Sequence, residues 1–579
     1  MEKYIQDAHI TGLERVAAWS DLLDQINVFP VADGDTGRNL ITTLSPLRAL
    51  DAGRETITRR LLLSARGNSG NIAALFFSGL LTADSTQMLP RAAQLGRDRA
   101  WQAIGDPVSG TMLDVMDALT EIMEGSPLKT GPGNVMGIIE RLQTVVRSTR
   151  DRLPKLKDAG VVDSGALGIY IFLEGFLLSL AGQIRRFQPV TEVFRGLLHV
   201  CPAFTSVRED GYCVDMVVRF DDESIPEQLS QHGESVVVIP HDDVYKVHMH
   251  TRNRHGARAG IESLCHVLEW SDDDLSRQTS RFKQDPTSGC VHIMTDAAGS
   301  ISRETARELG ITLLDSYITA GDKSLPETLF RPQDLYKFMR AGIPVSSSQA
   351  SIFERYQHYE SALNQHAKVL YLCVGSFYTG NFDAAVKWKQ EYDHENRFTV
   401  MDTGAASGRL ATVVMATARF STRTDDPDQV VAFARSAVDQ CEEYVFLDKL
   451  QYLAAGGRLS KSSAFFGDLL HMKPVISPLA EGAAKVGVVR NQKAQLDFAL
   501  SKLESRFSRE DQPLIMLQYT DNESWVREEV QEEIAKTYPS AEILLHLLSL
   551  TSSVHMGPGT WSMAFLPDVT GWANLREPY

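Results

Sequence analysis

Residues 27–40, NVFPVADGDTGRNL, set two carboxylates, Asp33 and Asp35, on either side of a glycine just downstream of Pro30. Two carboxylates offered from one tight loop suit Mg²⁺, which takes one or two of them and completes its shell with water and substrate phosphate oxygens. Asn27 and Asn39 flank the pair with amides that can ligate or hydrogen-bond. The same tripeptide also reads as an ordinary turn, since Asp and Gly dominate turns. Three further loops rich in small residues follow: SARGNSGN (64–71), PVSGTMLD (107–114) and AGVVDSGALG (159–168). Each runs into a helical pattern, where free backbone N–H groups favour anions. Neither a GxxxxGK[ST] loop nor a GxGxxG after a strand occurs in the chain. A second chemical group lies downstream. His248 and His250, in VYKVHMHT, are two apart on an expected strand and so share a face. Cys213 sits on another expected strand, and one thiolate with two imidazoles can hold Zn²⁺ if a fourth ligand joins them. Two half-buried strand histidines and an unrelated thiol are the alternative.

Positioning these groups needs more than one core, because 579 residues exceed what a single domain buries. Residues 1–195 read as helical, with 3.6-residue periodicity in LERVAAWSDLLDQI and NVMGIIERLQTVVRSTRDRL. The apolar run at 167–182 contains Glu174, is too short to span a bilayer and reads as a buried helix. Residues 196–285 form a small α/β segment: strands in YCVDMVVRF, SVVVIP and VYKVHMHT, a helix in GARAGIESLCHVLEW, and a polar linker at 276–289. Residues 290–579 alternate strand and helix patterns, which predicts a largely parallel sheet with ligands beyond the carboxyl ends of its strands. The net charge of −16 disfavours nucleic acid as a partner. Six scattered cysteines and the lack of a signal-like apolar N-terminus lead us to expect a cytoplasmic protein.

In chain order, DGDTG, ARGNSG, the SGTM loop and VVDSGALG resemble the DhaL/DAK-type nucleotide-binding domain, the kinase domain of bacterial fatty acid kinases. The resemblance implies an all-α helical barrel that binds ATP or ADP through paired Mg²⁺ ions. Asp33 and Asp35 would be the metal-binding, catalytic pair. Thr36, Asn39, Asn68, Ser69 and Gly70 would line the phosphates, and Thr111, Met112 and the Asp163-Ser164-Gly165 loop would border the nucleoside. The dihydroxyacetone-kinase branch reads closer to GDGDHG; Thr36 in place of that His favours the fatty-acid-kinase branch. The middle segment resembles the fatty acid kinase middle domain, with its GYC segment and HVH-type strand, which supports structural Zn²⁺ on Cys213, His248 and His250.

Residues 290–579 resemble the DegV family of fatty-acid-binding proteins, an α/β fold of two subdomains. The matching motifs are TDAAGS, VSSSQAS, GSFYTGNFDAA, the GGR and KP segments of 455–476, and HMGPGTWS. By this resemblance Ser347, Ser348, Thr379, Arg458 and His555 would hold the carboxylate of a long-chain fatty acid. Hydroxyls, an imidazole and a guanidinium are suitable donors for it. Ala350, Thr379 and Asn381 depart from the family's Pro, Ser and Thr and put chain-length preference in doubt. Ser351 and Glu354 read as a capping box, and Phe377, Phe382, Phe465 and Phe466 as tunnel or ordinary core residues.

Together the resemblances imply transfer of the ATP γ-phosphoryl group to the fatty acid, giving an acyl phosphate. A carboxylate with a pKa near about 4.5 is already a nucleophile at neutral pH and needs no base. The competing readings are a dihydroxyacetone-type kinase, a non-catalytic lipid-binding or regulatory protein, and a C-terminal half that only docks a separate acyl carrier. A homodimer, transient membrane contact and an acyl-accepting partner enzyme complete the expectation.

Overall fold

In the computed structural model, which describes residues 1–102, 107–124, 132–205, 210–220, 225–241, 243–282, 289–455 and 472–567, the chain forms two units, Met1–Gln284 and Asp285–Tyr579. The first begins with helices α1 (Lys3–Gln25), α2 (Thr36–Leu44), α3 (Arg54–Ser64), α4 (Gly67–Leu80), α5 (Leu89–Gln102), α6 (Met112–Met123), α7 (Pro132–Arg152), α8 (Pro154–Ala159) and α9 (Ser164–Leu180). The apolar run expected as a buried helix is α9, buried without a break from Ser164 to Leu178. It lies along α1 at a crossing with no room for side chains: a Cβ on Gly175 would fall 2.9 Å from Gly12 Cα. Glu174 is tolerated inside because Arg15 of α1 pairs with it and the Tyr170 hydroxyl donates to it at 3.1 Å. Among the described residues no helix is long and apolar enough to cross a membrane.

The middle segment is an antiparallel sheet, β2-β3-β1-β4, built from β1 (Tyr212–Arg219), β2 (Glu234–His241), β3 (Val244–Thr251) and β4 (His266–Asp274). The expected helix GARAGIESLCHVLEW is wrong in its second half. The helix stops at Leu264, Cys265 is extended, and residues 266–274 pair along β1 as β4. Val267 and Trp270 fit a pleated strand better than a helix face. The expected linker also begins with a helix, Leu275–Arg281, capped by Asp274 Oδ1 accepting the Arg277 N–H at 3.0 Å. One sheet face buries Val214, Met216, Val247 and Met249 against Ile261. On the other, Cys213 packs with Val31 and Leu275, and Val237 and Ile239 pack on Leu62, Ala65 and Ala74 of the helical domain.

The second unit contains β5 (His292–Asp296), β6 (Ile311–Leu314), β7 (Ser316–Ala320), β8 (Lys323–Pro326), β9 (Val345–Gln349), β10 (Val369–Cys373), β11 (Phe398–Asp402), β12 (Glu442–Phe446), β13 (Lys473–Leu479), β14 (Gly482–Val489), β15 (Leu514–Tyr519), β16 (Glu542–Leu547) and β17 (Trp561–Leu566). The sheet β11-β10-β5-β6 is parallel, as the alternation predicts. The prediction fails for the rest. Sheet β8-β7-β9 is antiparallel, and in β14-β13-β12-β17-β15-β16 only β15 and β16 run parallel. The two residues Ala480 and Glu481 suffice to return β13 into β14, whereas a parallel neighbour needs a long crossover. Helix Ser407–Ser421 joins the layers, packing on β5 and β10 residues at one side and on Met516, Ala564 and Leu566 at the other.

Candidate functional site

Asp35 is the N-cap residue of α2, yet its side chain makes no capping bond. Asp24 takes that role, accepting the Gly37 N–H at 2.7 Å. The Asp35 carboxylate faces Asp33 instead. Burial and then the Asp35 charge push the Asp33 carboxyl well above its usual range, with Arg38 opposing. A turn aspartate normally engages nearby N–H groups; the repulsion between these two carboxylates is only partly offset by Arg38, and a divalent ion would invert the local balance. The donor set therefore fits Mg²⁺. Asn27 Nδ2 donates to Asp33 Oδ1 at 2.6 Å and fixes the loop.

The loops at 64–71 and 159–168 meet this segment and the α2 it opens, and the 107–114 loop meets the 159–168 loop. Ser164 Oγ lies 3.2 Å from Asn27 Oδ1 and 3.0 Å from Thr36 Oγ1. The Asn39 amide fills the space a Cβ on Gly67 would need, and Gly67 has φ +58°. Asn68 and Ser69, half-buried in the first turn of α4, have no side-chain hydrogen-bond partner among the described residues. Gly70 packs on Thr43, and Met112 Sδ would lie 3.2 Å from a Cβ on Gly165. Two named residues are helix caps: Thr111 Oγ1 accepts the Leu113 N–H at 3.4 Å, and Asp163 Oδ1 accepts the Ala166 N–H at 2.7 Å. Their side chains fix the starts of α6 and α9, where backbone can meet a nucleotide.

Burial raises the Asp163 pKa to about 7. The folded chain therefore holds a proton that the unfolded chain loses near pH 4, so this group's contribution to stability falls as pH rises from about 4 to about 7. Asp163→Asn keeps a capping oxygen without ionising and is expected to flatten that decline in melting scans; an unchanged slope would contradict the assignment.

In the middle sheet the β1–β3 register sets Cys213 opposite His250 and Asp215 opposite His248, all on one face. The ligand atoms of Cys213, His248 and His250 lie within 4.8 Å of one another. His248 is buried, and among the described residues its Nε2 has no hydrogen-bond partner, while Nδ1 is 3.3 Å from Asp215 Oδ1. Cys213 Sγ lies 3.9 Å from His248 Nδ1, and a cluster of a thiol and two imidazoles, one with an orphaned Nε2 and a carboxylate alongside, fits Zn²⁺. Burial lowers His250 to about 4, leaving it in the neutral, ligating form, and pushes the Cys213 thiol up until a metal displaces its proton. Asp215 was missed from sequence, although Cys-Val-Asp spacing places it on the Cys213 face.

In the second unit Ser347 Oγ of β9 lies 3.1 Å from His555 Nε2. Ser348 points to the opposite face of β9 and is exposed. His555 belongs to the last turn of helix Leu550–Met556, ahead of the Gly-Pro-Gly loop of its motif. Gln349 reaches Gly380, bringing β9 to the Thr379 loop, where Thr379 Oγ1 accepts the Asn381 N–H at 3.2 Å. Arg458, Phe465 and Phe466 lie outside the described residues. Phe377 is exposed, and Phe382 packs on an aromatic core. Ser351 caps its helix as expected, accepting the Glu354 N–H at 3.0 Å, but the Glu354 carboxylate takes the Tyr317 hydroxyl instead of completing the box. The Thr379 loop is anchored by Asp296, missed from sequence, which accepts from Val374 N–H, Asn381 Nδ2 and Tyr371 Oη at 2.8 Å each, with Arg355 at 3.4 Å. Asn381, noted as a departure, thus has a structural partner.

Three family models match the chain: DAK2 domain over residues 30–178, FakA-like fatty acid kinase middle domain over 209–280, and uncharacterised protein, DegV family, over 290–568. An uncharacterised protein of Staphylococcus saprophyticus is 34% identical over 278 residues, covering 43% of this chain and 50% of its own. One from Staphylococcus aureus is 32% identical over 284 residues, covering 43% and 51%. The chain thus spans about half the length of these curated relatives. Among solved structures, a DegV family protein of Thermus thermophilus described for fatty acid binding aligns with TM-score 0.45 at 23% identity, over 48% of this chain and 99% of that one. DegV of Bacillus subtilis, a fatty acid binding protein, aligns with TM-score 0.45 at 18% identity, over 48% and 100%. A DegV family protein of Eubacterium eligens loaded with heptadecanoic acid aligns with TM-score 0.42 at 12% identity, over 48% and 100%. The chain carries, in one polypeptide, a helical DAK2 domain, a FakA-like fatty acid kinase middle domain and an α/β DegV domain.

Proposed function

We propose that the protein is an ATP-dependent kinase whose acceptor is the carboxylate of a fatty acid held by its own DegV domain. The observation that carries this reading is the Asp33–Asp35 pair, which is not used to cap its helix, on a segment whose Asn39 packs against Gly67 at the start of α4, where Asn68 and Ser69 have no side-chain hydrogen-bond partner among the described residues. That arrangement suits a metal-bound phosphate chain. Asp33 and Asp35 would hold Mg²⁺, which when bound would neutralise charge on the phosphates. A carboxylate oxygen attacks the γ-phosphorus, the bond to the β–γ bridging oxygen breaks, ADP leaves, and an acyl phosphate forms without a proton transfer. Chemistry of this kind needs alignment and charge neutralisation more than a base. The presence of the three domains in one chain supports a fatty acid over a small polyol, since a polyol acceptor would leave the DegV domain unexplained.

Solvent extraction of the purified protein followed by mass spectrometry is expected to release a fatty acid. Ser347→Ala and His555→Ala are each expected to weaken fatty acid binding roughly 10- to 150-fold, the loss of one hydrogen bond to a charged group. Wild-type affinity in both variants would remove the carboxylate site from this face of β9. ATP turnover is expected to rise with fatty acid and not with dihydroxyacetone; the opposite preference would favour the polyol kinase.

A further inference from the structure

We propose that Asp215 is a positioning residue that ties the phosphate loop of the helical domain to the metal ligand His248, so that metal in the middle sheet sets the affinity for nucleotide. The inference rests on the nucleotide-binding reading above and adds a coupling to it.

Asp215 lies on β1, only 6% exposed, and its two oxygens serve different domains. Oδ2 accepts the Gly67 N–H at 3.0 Å; Oδ1 lies 3.3 Å from His248 Nδ1. Gly67 opens α4 in the left-handed region, and Asn68 and Ser69 follow it directly. The direction of its N–H therefore sets the direction of the loop that would meet phosphate. A purely structural alternative makes Asp215 the counter-ion of the buried Lys246, but that ammonium is 3.5 Å away, farther than either of the other partners. Metal at His248 Nε2 would make the opposite ring N–H a stronger donor. The tightened bond to Oδ1 would hold the carboxylate plane and keep Oδ2 on Gly67. Among the described residues Nε2 has no hydrogen-bond partner, so without metal the far side of the ring is held by packing, including the edge-on contact with His250 at 5.3 Å, and by no directional bond. The carboxylate can then turn and the loop loses its anchor.

The test compares Mg–ADP affinity, by titration calorimetry, of zinc-loaded and chelator-treated protein, together with hydrogen exchange in the segment containing Gly67. In the wild type, zinc removal is expected to weaken ADP binding about tenfold and to speed exchange at Gly67. Asp215→Asn keeps an oxygen for Gly67 but presents an amide to His248. It is expected to bind ADP about tenfold more weakly, with no further loss when zinc is removed. Asp215→Asn with wild-type affinity and a wild-type zinc response overturns the coupling while leaving the nucleotide site intact. Failure of zinc-loaded wild type to bind ADP overturns the nucleotide reading itself. Should the variant not fold, unchanged Gly67 exchange after zinc removal from the wild type still overturns the proposal.

Discussion

Asp33→Asn and Asp35→Asn are each expected to lower Mg²⁺-dependent ATP turnover about 10²- to 10³-fold, the usual loss when one group stabilising transition-state charge is removed. The electrostatics predict an opposite effect on stability. Asp33 is raised by burial and by the Asp35 charge. A carboxyl raised on folding contributes stability below its unfolded pKa and loses it as pH rises through the folded one. At neutral pH without divalent ions the pair is therefore a liability, and Asp35→Asn is expected to raise the melting temperature of the chelated protein by about 2–4 °C, corresponding to about 1 kcal/mol. The same variant should lose the rise that Mg–ADP gives the wild type. Thermal scans with chelator and with Mg–ADP check both halves. A variant less stable than wild type in chelator, yet still protected by Mg–ADP, would mean that the two aspartates do not share a cation.

Asp296→Ala is expected to destabilise the second unit by about 3–5 kcal/mol, the cost of leaving a buried charge without its partner. Here the orphan is the Arg355 guanidinium, 1% exposed, and the Val374 N–H, the Tyr371 hydroxyl and the Asn381 amide lose their acceptor at the same time. Against a typical total of about 5–15 kcal/mol this is a large share. Asn381→Ala removes one of these bonds and is expected to cost about 1–2 kcal/mol. Urea unfolding followed by tryptophan fluorescence reads both, since Trp388 packs on Tyr359 in the same core. Because Asp296 anchors the loop that carries Thr379, fatty acid binding should fall with stability in Asp296→Ala. A loss below about 1 kcal/mol would mean that Arg355 finds another partner.

The convergent loops were legible because each carries its chemistry in consecutive residues: DGDTG, ARGNSG and VDSG are short, and each sits at or near a helix start whatever the rest of the chain does. The shared face of His248 and His250 was legible through strand period, whereas the place of Cys213 beside them depends on the register of β1 on β3 and was pointed to by the family resemblance. What escaped are the partners set by long-range packing. Asp215 meets Gly67 across 148 positions of sequence and Asp296 meets Asn381 across 85. Nothing local separates such carboxylates from surface ones. Asp24 was invisible for a related reason: the cap of α2 comes from the end of α1, so the usual capping position at Asp35 was free for other use. The β4 error has a different source. HVLEW follows a good helix without a Gly or Pro stop, and only pairing with β1 decides its state. The mixed six-stranded sheet escaped likewise, because apolar strands between helices look alike in either direction.

The measurement closest to the central claim uses the full chain, ATP, Mg²⁺ and the fatty acid extracted from it, with hydroxylamine present to trap an acyl phosphate as its hydroxamate. Acyl hydroxamate is expected in amounts matching the ADP formed, and about 10²- to 10³-fold more slowly from Asp33→Asn. ADP formed without hydroxamate, or hydroxamate formed at the wild-type rate by Asp33→Asn, would contradict it.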